Sequence, residues 1–457
     1  MTNPARNTHF SGDFTMATTG DDDIYGGTGL DTIFGLAGND LIYAMQNDDL
    51  VYGGLGDDAI ETGSGDDTAY GGAGDDALVN DGGNDLLYGG AGNDLIVLGD
   101  VVYGSAGIAY GGAGDDTVIV TQTENAAVFG GAGIDTLFLT WPSVFTDDAV
   151  SLDFRTGFAS AGDGSHLNFV GMEQLFLLSG YGNDTVIGGM RDDFLSVSGG
   201  ANRINALAGN DTVAYIITGV ANTLNGGGGD DVLLAQSDNS PLYFIVNGSN
   251  GRVDDGSLSV ITGFDRYEAR GGALNDIAGL GSRDDTFRGG GGNDSGYGMD
   301  GRDLLIGGTG DDLLLGGGGN DTLHGGPGSD TLVGGDGDDV INGGKGQDLR
   351  TGGAGADVFV FGLTEDSLDT ITDFTSGEDR IRYAGAGIGI YGPDLGRLQP
   401  GDLQIGGSTA TPGVFVLQYD SDTDTSDLLW SDTGNGAYLL MRFTGHVNMV
   451  ASDIILF

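Results

Sequence analysis

Aspartate returns every ninth residue in two long stretches of this chain. Between Gly26 and Val97, eight contiguous nine-residue units carry Asp31, Asp40, Asp49, Asp58, Asp67, Asp76, Asp85 and Asp94 at their sixth positions. A second run, Gly271–Val360, holds ten units whose sixth positions are Asp276, Asp285, Asp294, Asp303, Asp312, Asp321, Asp330, Asp339, Asp348 and Asp357. Each aspartate closes a glycine-rich turn, which can offer backbone carbonyls beside the carboxylate. That oxygen-only donor set suits a hard cation such as calcium, which takes roughly six to eight oxygens. If the turns stack, the carboxylates form rows that repel one another until a cation fills them. The expected metal ligands are Asp31, Asp40, Asp58, Asp67, Asp76, Asp85 and Asp94 in the first run. In the second they are Asp285, Asp294, Asp303, Asp312, Asp321, Asp330, Asp339, Asp348 and Asp357. Asp49 is set aside because its unit, "AMQNDDLVY", lacks the glycines. So are the places where Ala126 and Asn202 replace the acid.

The element that must position these carboxylates is short. Positions one to six, GGxGxD, form a tight turn in which glycine can take positive φ without steric cost. The remaining three residues make a small strand whose middle side chain points to one face. That eighth position holds Ile33, Ile42, Val51, Ile60, Ala69, Leu78, Leu87 and Ile96 in the first run. In the second it is mostly Leu, Ile or Phe, with departures at Ala278, Gly296 and Arg350. One such strand buries almost nothing, but a stack of them makes a continuous narrow core, the logic of a solenoid. A further unit, 17–25, precedes the first run in register, with Gly20, Asp22 and Ile24. Shorter pieces lie at 111–119, 130–138, 179–214 and 226–234. Abundant glycine with high charge is also the composition of disordered chains. Disorder does not hold aspartate and an aliphatic residue in phase over such lengths.

Glycine supplies 93 of 457 residues, and 68 acids against 16 bases give a formal charge of −52, with Lys345 the single lysine. Such a chain repels nucleic acid and anionic membrane surfaces and attracts cations. There is no cysteine, so disulfides and thiolate metal sites are excluded. No run approaches the roughly 18 apolar residues of a membrane span. The opening "MTNPARNTHFSGDFTMATTG" has no apolar core of a secretory signal. The chain is expected to be cytosolic or exported by a route that reads something other than its N-terminus.

The unit GGxGxDxUx, as in "GGTGDDLLL", "GGGGNDTLH" and "GGPGSDTLV" (307–333), resembles the RTX (repeats-in-toxin) calcium-binding nonapeptide. The resemblance implies an all-β fold, a parallel β-roll with two nonapeptides per coil. It also implies multiple calcium ions, each shared between units n and n+2. Asp303, Asp321, Asp339 and Asp357 would then line one edge, and Asp312, Asp330 and Asp348 the other. Further on, "FVFGLTEDSLDTITDFTSGEDRIRY" is similar to the segment after the roll in serralysin-type proteases and other type I-secreted proteins. The match is carried by Asp369, Ile371, Asp373, Phe374, Gly377, Asp379 and Ile381. The ending "ASDIILF", Asp453 followed by four apolar residues, is similar to a C-terminal type I secretion signal. The implied partner is the type I secretion machinery, and the implied location is extracellular or on the cell surface.

These readings divide the chain into a leader (1–16), a first roll (17–138), a β-rich insertion (139–178), a short repeat segment (179–234), a second insertion (235–270), a third roll segment (271–360) and a β-rich C-terminal region with the export signal (361–457). The insertions are related: "DGSHLNFVGMEQLFLLSGYGND" (163–184) aligns with "DGSLSVITGFDRYEARGGALND" (255–276). They read either as longer solenoid coils or as partner-binding arms, with Trp141, Phe145, Phe169, Phe176, Tyr243, Phe244, Phe264 and Tyr267 serving a core or an interface. No H-E-x-x-H, G-x-S-x-G or Walker sequence occurs. "GIGIYG" (387–392) is a chance match in a glycine-rich chain. "DSDTDTSD" (420–427) lacks the glycine and glutamate of an EF-hand and reads as a polar turn. His9, His166, His324 and His446 are scattered. With about sixteen residues ahead of the first unit, no catalytic domain is expected there. The expectation is a non-enzymatic, calcium-folded structural or surface protein with possible homo-assembly. An adhesin recognising a glycan or protein through the two arms, and an enzyme of unfamiliar type, stand as alternatives.

Overall fold

The computed structural model describes residues 8–9, 14–99, 107–121, 125–140, 148–237, 240–247, 252–254, 259–362, 369–384, 403–405, 414–420, 425–431, 437–444, 447 and 454–456. Among them are strands and turns but no helix. The chain splits into two compact units, Met1–Tyr215 with Val220–Val232, and Ile216–Gly219 with Leu233–Phe457. Each is a parallel β-solenoid with two sheets facing a narrow core.

In the first unit the nonapeptide strands pair in parallel with the strand two repeats later. One sheet aligns Ile24, Ile42, Ile60, Leu78, Ile96, Val118, Leu137 and Leu175. The other aligns Ile33, Val51, Ala69, Leu87, Ala109 and Val128. These are the eighth-position residues wherever the nonapeptide holds, and their side chains are fully buried. The second unit repeats the plan. One sheet aligns Phe287, Leu305, Leu323, Ile341, Phe359, Ile381 and Ile454. The other aligns Phe244, Ala278, Gly296, Leu314, Leu332, Arg350, Ile371 and Phe443. An antiparallel meander, Ala437–Thr444, Thr425–Ser431 and Val414–Asp420, extends that sheet, with Leu403–Ile405 at its edge.

Asp23–Tyr25, Leu41–Tyr43, Ala59–Glu61 and Ala77–Val79 keep the three residues expected, but the strands of the facing sheet are longer. Thr32–Ala37, Leu50–Leu55 and Leu313–Gly318 each run six residues, through the first glycines of the next unit. Burial alternates along them, so the eighth-position aliphatic and the first-position glycine both face inward. The chain then reverses through positive φ at positions two and four, as at Gly317 (φ 117) and Gly319 (φ 121). Leu36, Met45, Asn47, Leu207 and Met299 adopt the same region with φ between 71 and 89. A side chain there costs roughly 1–2 kcal/mol, so the stack imposes this turn even on unsuitable residues.

The two insertions continue the sheets. His166–Val170 pairs with Asn125–Ala132, and Gln174–Leu178 with Thr136–Thr140. Val150–Asp153 and Phe158–Ala161 add an antiparallel excursion before the parallel order resumes at Thr185–Ile187. In the second insertion Tyr243–Asn247 joins Ile277–Gly279, and Arg266–Arg270 joins Thr286–Gly291. Phe169, Phe244, Phe264 and Tyr267 are buried in the core, and Phe176 stacks between Phe138 and Phe194. Tyr243 is exposed. Trp141, Phe145, His446, Asp453, Phe457, residues 387–392 and residues 421–424 lie outside the described residues.

Candidate metal centres

Stacking brings the sixth-position aspartates into two rows per unit, as two repeats per coil require. Within a row the carboxylates are tied to backbone. The N–H of Asp303 donates to Asp321 Oδ1 at 2.8 Å, that of Asp321 to Asp339 Oδ1 at 2.8 Å, and that of Asp339 to Asp357 Oδ1 at 3.0 Å. The second row runs Asp276, Asp294, Asp312, Asp330, Asp348 and Asp369 by the same bond. In the first unit one row links Asp22, Asp40, Asp58, Asp76, Asp94, Asp116 and Asp135. The other links Asp31, Asp49, Asp67 and Asp85. The bond fixes one oxygen of each carboxylate and leaves the other for something else.

That second oxygen divides the rungs into kinds. Oδ2 is buried without a hydrogen-bond partner in Asp40, Asp49, Asp58, Asp67, Asp76, Asp94, Asp116, Asp135 and Asp211. The same holds in Asp294, Asp303, Asp312, Asp321, Asp330, Asp339, Asp348 and Asp357. A buried carboxylate oxygen left bare is costly. The carboxyl pKa values rise accordingly. Burial, with carboxylate neighbours adding and the backbone N–H opposing, pushes Asp303 up to about 8. Burial likewise holds Asp67 and Asp339 at about 7 and Asp40 and Asp321 at about 6.

The surroundings of these oxygens fit calcium. A methyl carbon built on Gly316 would fall within 3.0 Å of both Asp321 Oδ2 and the carbonyl oxygen of Gly334. Gly298, Gly325 and Gly334 stand in the same relation to Asp303 and Gly316, Asp330 and Gly343, and Asp339 and Gly352. In the first unit Gly35, Gly53 and Gly111 repeat it. The first-position glycine therefore keeps open a cradle between a bare carboxylate oxygen and a backbone carbonyl. No group of three or more acidic, histidine or cysteine side chains converges among the described residues. A cation at these rungs would take most of its oxygens from the backbone, as calcium readily does.

Other rungs are closed by the chain itself. The second-position N–H turns inward onto Oδ2 at Gly27–Asp31 (2.6 Å), Gly189–Asp193 (2.6 Å), Gly272–Asp276 (2.8 Å) and Gly281–Asp285 (2.7 Å). Thr62 Oγ1 donates to Asp85 Oδ2 at 2.7 Å, and Ser179 Oγ to Asp184 Oδ2. At Asn202 the side-chain amide donates to the carbonyl of Gly199 at 3.2 Å, while Oδ1 accepts the N–H of Asp184. Of the expected ligands, Asp85 and Asp285 thus sit in the rows with both oxygens engaged and Asp31 with its Oδ2 engaged; Asp348 Oδ2 faces the Arg350 guanidinium at 3.7 Å, and the others keep a bare Oδ2.

Sequence reasoning passed over several rungs. Asp49 occupies its row like its neighbours, because Met45 and Asn47 take the glycine conformations. Asp116, Asp135 and Asp211 belong to the shorter nonapeptide pieces, where their sixth position was the available signal. The fifth position, usually Asp or Asn, was given no role. It forms an exposed second ladder of opposite sense, with Asp57 N–H donating to Asn39 Oδ1 and Asp75 N–H to Asp57 Oδ1. The acidic pair in each unit thus stitches successive coils from both sides.

The profile of the RTX calcium-binding nonapeptide repeat matches residues 16–51, 52–87, 81–100, 178–213, 218–239, 270–305, 297–332, 324–359 and 333–368, which together exceed half of the chain. No curated protein matches. Among solved structures the chain is similar to the AlgE6R3 subunit of the mannuronan C5-epimerase from Azotobacter vinelandii, at 27% identity over 35% of this chain and 77% of that one, with a TM-score of 0.19. It is also similar to a hyperactive, Ca2+-dependent, β-helical antifreeze protein from an Antarctic bacterium, at 17% identity over 73% and 86% of the two chains (TM-score 0.26). A third is the extracellular lipase LipA from Serratia marcescens, at 14% identity over 75% and 67% (TM-score 0.21).

Proposed function

The chain belongs to the RTX calcium-binding nonapeptide repeat family, and from that premise we propose that it is a secreted, non-enzymatic structural protein that folds on calcium outside the cell and assembles there. The observation that carries this reading is the repeated bare Oδ2 of the aspartate rows, which at Asp40, Asp58, Asp116, Asp135, Asp294, Asp303, Asp321, Asp330 and Asp339 shares its first-position glycine with a backbone carbonyl. Calcium at these rungs would be held by Asp40, Asp49, Asp58, Asp67, Asp76, Asp94, Asp116, Asp135 and Asp211 in the first unit. In the second it would be held by Asp294, Asp303, Asp312, Asp321, Asp330, Asp339 and Asp357. Extracellular calcium modules bind at about 10⁻⁴–10⁻³ M, well above cytosolic calcium. Before export the aspartates of the unfolded chain are ionised and repel one another, which keeps the chain threadable through a type I channel. After export the metal neutralises the rows and the coils stack.

A structural role is supported by the distribution of the polar chemistry, which is repeated rung by rung along the rows. The exposed fifth-position acids Asp57, Asp66, Asp75, Asp115, Asp311 and Asp338 add a second charged line outside, and calcium bridging such lines between copies gives a route to assembly. Size-exclusion chromatography with light scattering tests it. With millimolar calcium and no added ligand the mass is expected to rise to a multiple of the single chain, and chelator to reverse the change. A monomer at every calcium concentration would refute the assembling role.

A further inference from the structure

Arg350 occupies an eighth position, where the repeat places an aliphatic residue. Its register neighbours in the sheet are Leu332 and Ile371. The side chain is fully buried, whereas the ion-paired Arg155, Arg270, Arg283, Arg288 and Arg302 lie at the surface. Its Nη2 hydrogen-bonds Asp369 Oδ2 and stands 3.7 Å from Asp348 Oδ2. Nη1 donates to the carbonyl of Val360 at 2.8 Å, and the guanidinium carbon lies 4.1 Å from the centre of the Phe361 ring. The Oδ1 atoms of Asp348 and Asp369 accept the row's usual backbone bonds from Asp330 and Asp348. What differs is the cradle. A methyl carbon built on Gly343 would fall within 3.0 Å of Asp348 Oδ2 and of Arg350 Nε, where Gly316, Gly325 and Gly334 face a carboxylate oxygen and a carbonyl.

We propose that Arg350 is a built-in counter-ion: its guanidinium takes the place of a calcium ion between Asp348 and Asp369, so that this rung is held without metal. The guanidinium carries a fixed positive charge and directional N–H donors. Two carboxylates whose outer oxygens face it gain the neutralisation that the other rungs must draw from solution. A second cation in the same place would meet both its charge and its volume. The row that climbs through the third repeat segment therefore ends in a rung whose order is independent of calcium.

The inference rests on the calcium reading of the open rungs, and the two fail differently. Calcium bound per chain at saturation would be measured by equilibrium dialysis for the full-length protein, Arg350→Leu and Arg350→Lys. Arg350→Leu restores the residue type of the repeat and should bind about one more calcium ion than wild type, because two carboxylates are released to coordinate it. Arg350→Lys keeps the charge and should bind the wild-type number. Equal counts in wild type and Arg350→Leu overturn the inference alone; a wild-type chain that binds no calcium overturns both readings. Should Arg350→Leu fail to fold, hydrogen exchange of the wild-type protein decides. Leu349–Ala354 and Asp369–Ile371 should become protected at roughly tenfold less calcium than Leu313–Gly318, since the first need no ion of their own. The same calcium requirement for all three strands would contradict it.

Discussion

At the scale of a residue, what matters is one carboxylate oxygen and the glycine beside it. Asp321 gives Oδ1 to its neighbour's N–H and keeps Oδ2 bare, next to a space that Gly316 holds open. Asp321→Ala should weaken calcium binding at its row by roughly ten- to hundredfold, the equivalent of losing one charged interaction of about 1.5–3 kcal/mol. Gly316→Ala should do the same from the other side, because its methyl carbon would enter the cradle. Lys345→Ala, at an exposed third position, should leave the isotherm unchanged. Calorimetric titration of the three variants checks this, and an unaltered curve for Asp321→Ala would remove that aspartate from the site. The raised carboxyls fix a pH dependence as well. Burial lifts Asp303 to about 8, Asp339 to about 7 and Asp321 to about 6, against an ordinary value near 3.9 in the unfolded chain. The folded, metal-free rows therefore hold more protons than the unfolded chain between about pH 4 and 8, and folding stability falls as pH rises across that window. In chelator, structure should be gained on acidification from about pH 8 to 5. With calcium, affinity should drop over the same range and binding should release protons, which a weakly buffered titration would register. The sixth-position aspartates were legible in the sequence, but the division into open and closed rungs was not. Gly27 and Gly54 occupy the same second position, yet Gly27 turns its N–H onto Asp31 while Gly54 sits at φ 123. The choice depends on where the unit falls in the stack.

At the scale of an element, the eighth position sets how coils fit. Phe287 is the large member of its layer and Gly296 is the concession to it: a methyl carbon on Gly296 would fall within 3.0 Å of the Phe287 ring. Gly296→Leu, which installs the residue the repeat prefers, should therefore destabilise the calcium-loaded protein by about 1–3 kcal/mol through overpacking. Phe287→Leu should recover most of that loss in the double variant, and a cycle of denaturant midpoints measures the coupling. Additive effects would mean that the two positions are independent. Two of the three departures noted in the sequence at this position thus have packing or charge reasons that appear only with the neighbouring coil in place. The stacked solenoid and its aliphatic core were legible because aspartate and aliphatic residues keep phase, while the parallel pairing of every second unit followed from the resemblance to the RTX nonapeptide. Strand length was legible only in part: Leu41–Tyr43 and Ala59–Glu61 keep three residues, whereas elsewhere the first glycines of a unit read as turn and yet extend the ladder. Nor was the stack of Phe34, Tyr52, Tyr70, Tyr88, Tyr110 and Phe129, whose successive ring centres lie 4.7–5.0 Å apart. Their ninth-position spacing was present in the sequence, but the two-repeat coil is needed to place one ring above the next.

At the scale of the whole molecule, a charge of −52 opposes compaction until cations arrive. A ligand that binds only the native state adds RT ln(1 + [L]/Kd) per site, about 2.7 kcal/mol at a hundredfold excess over Kd. The bare oxygens number enough for that linkage to decide whether the chain is folded. Far-UV circular dichroism of the full chain at about pH 8, titrated with calcium from excess chelator, tests this claim most directly. Ellipticity is expected to pass from coil-like to β-rich as calcium rises through about 10⁻⁴–10⁻³ M, with chelator restoring the starting spectrum and magnesium substituting poorly. A chain already β-rich and compact in excess chelator at that pH would contradict the account.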